Sequence, residues 1–225
     1  MVKLKHYHSK QRLSNKLVGD IIPPVGIKYI CCYVLLACAL VIEARPISYS
    51  GGSTVMLQSN EMQNSTYYHY SPTYKFSLGV EQVKDKYFDV NYSYFRLTYL
   101  LNRKNTKHSQ RNLYLQSGLS SEGLDHYFYG VHGDWETRRL FSGFGYKETQ
   151  TEKLDYAEQY LQLGIAPYIG EYGDLHTWLM IKSKHNELMG DWNTYPVLKF
   201  FKGNALMEVG YADTSEWDIH FMYRF

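Results

Sequence analysis

The chain has 225 residues, of which 44% are hydrophobic and 16% aromatic, with 23 Tyr, and it carries a formal net charge of +2. That surplus is concentrated ahead of Ala44, where six Lys/Arg face Asp20 and Glu43. The remaining 18 basic and 20 acidic residues net to −2, which excludes bulk attraction to nucleic acid. All three cysteines, Cys31, Cys32 and Cys38, fall in one apolar run, so the rest of the chain has neither a disulfide framework nor a cysteine metal site.

The apolar run YICCYVLLACALVI, residues 29–42, follows a basic stretch and precedes EARP. It is shorter than the roughly 20 residues a spanning helix needs and matches the apolar core of a secretory signal. Residues 1–44 are therefore read as a signal peptide cut after Ala44, with cleavage after Ala39 or a single-span anchor as alternatives. LLAC also resembles a lipobox that would lipidate Cys38, but ALVIEA continues the apolar run where a lipoprotein turns polar.

Residues 45–72 are rich in Ser, Asn and Gln and form a periplasmic segment or add an extra strand around TVMLQS, residues 54–59. From residue 73 to 225 apolar residues recur at every second position. Tyr74, Phe76, Leu78 and Val80 share a face, then Val90, Tyr92 and Tyr94, then Leu113, Leu115 and Leu119, then Tyr127, Tyr129, Val131 and Trp135. The pattern resumes in Leu161, Leu163, Ile165, Pro167 and Ile169, in Leu175, Leu179 and Ile181, and in Met207, Val209 and Tyr211. No 3.6-residue stripe is sustained, so the fold class is all-β.

Strand-like segments centre near residues 79, 94, 115, 131, 143, 164, 179, 198, 208 and 221. Their length suits tilted membrane strands of roughly 9–11 residues, which predicts a transmembrane antiparallel up-and-down β-barrel of about 10 strands, with 12 as the alternative. The connections fall into two alternating sets. KGN, GEYGD, ETRR and NRKNTKHSQ lie at one end; VKDK, SSEGLD, ETQTEKLDYAE, KHNELMGDWN and DTSE lie at the other. NRKNTKHSQ is long where a short periplasmic turn is expected.

The last stretch, EWDIHFMYRF, places Trp217, Ile219, Phe221, Tyr223 and Phe225 on one face, and Asp218, His220, Met222 and Arg224 on the other. It resembles the C-terminal signal of Gram-negative outer-membrane β-barrel proteins, the match being carried by Phe221, Tyr223 and Phe225. HYSPTYKFSLGVE and GIAPYIGEYGDLHTWLM are similar to an uncharacterised group of proteobacterial exported proteins. The resemblance implies the outer membrane of a Gram-negative bacterium as the location, and outer-membrane lipids and the barrel assembly machinery as partners.

His132, Asp134 and Glu136 share one face of a strand, with His126 further along it. His and carboxylates in that spacing suit a divalent metal or proton site. The competing reading is a polar lumen network of His132, Asp134, Glu136, Arg139, Lys182, Glu208 and Arg224, joined by Lys147, because buried charge must be paired. A hydrolase or acyltransferase at the rim would draw on His126 with Ser120 and Ser121, or on His185 with Asp191, but no GxSxG nucleophile motif is present. Trp135, Tyr172, Trp178 and Trp192 read as an interfacial girdle. No catalytic residue, metal or cofactor is assigned. The expected function is an envelope-structural barrel or a narrow passage for small solutes; the rivals are a rim enzyme and a soluble periplasmic barrel with its apolar faces turned inward round a ligand.

Overall fold

The computed structural model describes residues 47–152, 154–171, 173–213 and 216–225. The expected signal peptide with its expected cleavage points after Ala39 and Ala44, Cys38 and Tyr172 lie outside the described residues.

The strands are β1 (Gly52–Ser59), β2 (Gln63–Thr73), β3 (Phe76–Asp85), β4 (Val90–Asn105), β5 (Ser109–Ser120) and β6 (Tyr127–Thr137), followed by β7 (Leu140–Gln150), β8 (Tyr156–Ile165), β9 (His176–Asn186), β10 (Asn193–Lys202), β11 (Ala205–Ala212) and β12 (Glu216–Arg224). Each pairs antiparallel with its sequence neighbours, and β1 pairs with β12 to close the barrel. The main expectation of about ten strands is thus corrected to twelve, the alternative the sequence offered, and the extra strand expected around residues 54–59 is β1. The ten expected centres fall one each in β3 to β12, while β1 and β2 bring the start of the barrel to Gly52 instead of residue 73.

The partner of β1, β2, was hidden by composition. In β2, Tyr68 and Tyr70 are exposed whereas Tyr67 and His69 are buried on the opposite face, so aromatic rings occupy both faces and leave no apolar alternation to read. Backbone pairing holds the strand regardless. At the seam the Phe225 N–H donates to the Ser53 carbonyl at 3.0 Å, and the Ser53 N–H to the Phe225 carbonyl at 2.8 Å.

The end of the barrel where β1 starts and β12 stops is called the near end. Its turns are short at residues 74–75, 106–108, 138–139 and 203–204, and a longer loop spans 166–175. NRKNTKHSQ is mostly strand: β4 runs on to Asn105, with a register shift between Leu100 and Asn102, and pairs with β5 as far as Asn105↔Gln110. This hairpin is polar and exposed on most of its length, so ladder hydrogen bonds, joined by Arg103 Nε donating to Asn112 at 2.8 Å, carry it past the apolar wall. β8 ends at Ile165, leaving Pro167, which has no N–H for a ladder, and Ile169 in the loop.

The side-chain faces are inverted relative to a soluble barrel. Leu78, Val80, Phe95, Leu97, Leu161, Leu163, Leu179 and Ile181 are all at least a third exposed on the outer wall. Tyr70, Tyr99, Trp135 and Tyr223 ring the near end of this band, and Tyr129, Tyr146, Tyr211 and Trp217 ring the far end. Ten residues at a rise of about 3.3 Å, tilted about 40°, span roughly 25 Å along the axis, the height of an apolar band in a membrane barrel. A barrel with apolar faces turned inward is excluded by this orientation. One strand start is out of phase with the sequence reading: Tyr92 and Tyr94 are buried inside, and the apolar outer face of β4 is Phe95, Leu97, Tyr99 and Leu101. Trp178, expected in a girdle, is also buried inside, at 5% exposure.

Inside, aromatic rings lie flat over glycines of the next strand. Phe128 covers Gly118, and Tyr160 covers Gly145. A Cβ at Gly118 would occupy the space of the Phe128 ring, which also packs edge-on to Tyr94 at 4.8 Å and lies 5.1 Å from the Arg96 guanidinium. Gly118→Val is therefore expected to cost about 1–3 kcal/mol by overpacking, seen as a lower urea midpoint with an unchanged m-value.

Exposed charge is segregated along the axis. At the near end Lys75, Lys104, Lys107, Arg111, Arg138, Arg139 and Lys202 stand against Glu171 and Asp174. At the far end Asp89, Glu122, Asp125, Glu152, Asp155, Glu187, Asp191 and Asp213 stand against Lys84 and Lys86 among the described residues.

Candidate functional site: the barrel lumen

Alternation sends the residues between the outer apolar positions into the lumen, where they surround a cavity of about 380 Å³. A charge dropped into so narrow a space must find a counter-charge. Arg96 on β4 donates to Glu81 on β3 at 2.7 Å and to Gln116 on β5 at 3.1 Å, with its guanidinium 4.3 Å from the Tyr67 ring centroid. Lys147 on β7 pairs with Glu158 on β8, and Lys184 on β9 lies 3.5 Å from Glu61 and 3.9 Å from Glu158. Lys182 donates to Asp218 on β12 at 2.6 Å, and the Tyr195 hydroxyl donates to the same oxygen at 2.6 Å. Lys199 on β10 lies 3.2 Å from Glu208 on β11 and 4.4 Å from the Phe141 ring centroid.

Each of the five cations lining the cavity therefore has a carboxylate within 4 Å. The lumen presents local dipoles around its wall in place of a single-sign field, and aromatic faces and Gln side chains fill the intervals.

His132, Asp134, Glu136, Lys182 and Glu208 all line the cavity. Asp134 accepts from Asn112 Nδ2 at 2.8 Å, and Asn112 in turn accepts from Arg103 Nε at 2.8 Å. His132 stacks on Tyr114 with centroids 4.8 Å apart, and its ring nitrogens make no hydrogen bond among the described residues. Arg224 is buried on the inner face of β12 at 4% exposure. Arg139 is a correction: it sits exposed in the two-residue turn between β6 and β7, outside the lumen, because the hairpin is tighter than the sequence suggested. Among the described residues, no group of three or more His, Cys, Asp or Glu is placed to hold a metal ion.

The sequence reading omitted Glu81, Arg96, Glu158, Lys184 and Lys199 from the network. A usable signal existed for two of them, since Arg96 stands between Phe95 and Leu97, and Lys199 between Leu198 and Phe200. A lone charge flanked by apolar residues on a strand marks the inner face when the outer face is greasy.

The rim groups do not form the nucleophile–base pairs that were considered. His126 is hydrogen-bonded through Nε2 to the Tyr94 hydroxyl at 2.8 Å and through Nδ1 to Glu122 at 3.1 Å. The Ser120 and Ser121 hydroxyls instead accept backbone N–H groups of Glu122 and Ser93. His185 lies beside Gln159 at 3.5 Å and against the Trp192 ring, centroids 5.4 Å apart. Phe221 and Tyr223 lie on the outer face of β12, and Phe225, just past its end, stacks on Tyr223 at 6.3 Å.

At the near end an apolar cluster lies on the inner wall. Ile47 and Ser48 are buried ahead of β1, where the Ser48 N–H donates to Ser71 Oγ at 3.0 Å, and Ile47, 2% exposed, packs against Leu100 and Tyr114. At the far end Val83, Tyr92, Tyr94 and Phe128 form a second apolar cluster.

No protein-family model matches the chain, and no curated protein does. Among solved structures the chain is similar to one described as "Unveiling the Mechanism Behind the in-meso Crystallization of Membrane Proteins", at 12% identity over 79% of this chain and 83% of that chain, with a TM-score of 0.46.

Proposed function

We propose that this protein is an integral β-barrel of a Gram-negative outer membrane, with a lumen that admits small polar solutes and restricts their passage. The observation that carries the reading is the inside-out wall. Large apolar side chains face outward around the whole circumference, while the ion pairs face inward. A water-exposed apolar surface of that extent is incompatible with a monodisperse soluble monomer, whereas hydrocarbon satisfies it. The alternating aromatics of β12 further support recognition by the barrel assembly machinery.

Two measurements test this. The folded barrel should float with liposomes and show heat-modifiable migration on a denaturing gel; quantitative recovery in a detergent-free periplasmic wash would overturn the reading. In planar bilayers the native barrel should give small or no channels, because the lumen is narrow and crossed by ion pairs and the Ile47, Leu100 and Tyr114 cluster would narrow its near end. Ile47→Asp should raise the frequency of openings several-fold by placing an unpaired charge in that apolar cluster. Large native channels, or an unchanged record for the variant, would contradict the narrowed lumen.

A further inference from the structure

We infer that the near end of the β6–β9 outer wall is a binding site for one anionic phospholipid, with its acyl chain in a surface groove and its phosphate against arginines; this rests on the membrane reading above. The outer wall is not uniform there. The register aligns Trp135, Ser142, Leu163 and Ile181 across β6 to β9. Ser142 is the small member of that row, and on the near-end side Leu140, Ile165 and Leu179 form the next one. The result is a groove of about 550 Å³ whose lining is almost wholly apolar. A depression flanked by branched side chains and an indole fits a flexible hydrocarbon chain, which the neighbouring convex wall cannot hold in one place.

The groove ends where the basic charge begins. Arg138 and Arg139 are exposed in the turn that leads into Leu140, and Arg111 is the register partner of Trp135 across the β5–β6 pair. Guanidinium groups bind phosphate through paired N–H donors, and an indole at the same level is a normal interfacial anchor. The exposed acids of this end sit in the β8–β9 loop, where Asp174 accepts the Glu171 N–H at 2.9 Å. At the far end, the exposed acids outnumber bases and would repel the same headgroup. The segregation of charge along the barrel therefore selects the leaflet as well as the headgroup sign.

The test uses the full barrel in phosphatidylcholine bilayers doped with brominated phosphatidylglycerol or brominated phosphatidylcholine. The Trp135 contribution to fluorescence is isolated by subtracting the Trp135→Phe variant. Brominated phosphatidylglycerol should quench Trp135 several-fold more effectively than brominated phosphatidylcholine at equal mole fraction. The Arg111→Gln/Arg138→Gln/Arg139→Gln variant should bring the two to parity while keeping heat-modifiable migration, and Ser142→Phe, which fills the groove without altering charge, should weaken quenching by both. Parity in the native barrel overturns the site, as does a preference that survives the triple substitution. A barrel that fails to float with the vesicles overturns the membrane reading too; one that floats but shows parity overturns the lipid site alone.

Discussion

Phe95→Arg should destabilise the barrel by about 1–3 kcal/mol, between the values for a cation at the interface and at the midplane of a lipid-facing wall. Phe95 is 58% exposed and stands in register between Val80 and Leu119 on the outer wall, with no acid among those neighbours. In a soluble protein the same exchange at an exposed site would be nearly neutral. Reversible unfolding from phospholipid vesicles, followed by tryptophan fluorescence, gives the number directly. A change under about 0.5 kcal/mol would mean that water, not hydrocarbon, is the solvent outside.

The adjacent residue obeys the opposite rule. Arg96→Leu removes the cation held against Glu81 at 2.7 Å and Gln116 at 3.1 Å, leaving a carboxylate 5% exposed with its partner gone. Breaking a buried pair in this way costs about 3–5 kcal/mol, and removing both members by Arg96→Leu/Glu81→Leu should recover much of that loss. Two consecutive residues thus respond in opposite senses, one intolerant of gaining a charge and the other of losing it. A double variant as unstable as the single would assign the loss to packing against Tyr67 and Phe128 instead of to electrostatics.

Much of this architecture was legible because a period of two survives in any sheet with one greasy face. Trp217, Ile219, Phe221 and Tyr223 announced the outer face of β12, and all ten expected centres fell in strands. The period failed where a strand runs on beyond the apolar wall, as in the β4–β5 hairpin beyond Leu101, and where both faces carry rings, as at Tyr67 to Tyr70. Phase failed at Tyr92 and Tyr94 because a tyrosine suits a lumen as well as an interface. Site membership was harder, since pairing crosses strands: Lys182 and Asp218 are 36 residues apart, and only the register of β9 to β12 brings them to 2.6 Å. Arg139 was misplaced for the complementary reason, since a two-residue turn throws its side chain out of the strand alternation altogether.

The pairing of Thr54 with Arg224 joins positions almost the full described length apart. Until that last ladder zips, the curled sheet has two raw margins of unpaired amides, each able to template a neighbour. No sub-ring of fewer strands completes the circuit, so assembly is all-or-none, and slow, because the contact that ends it is also the most sequence-distant.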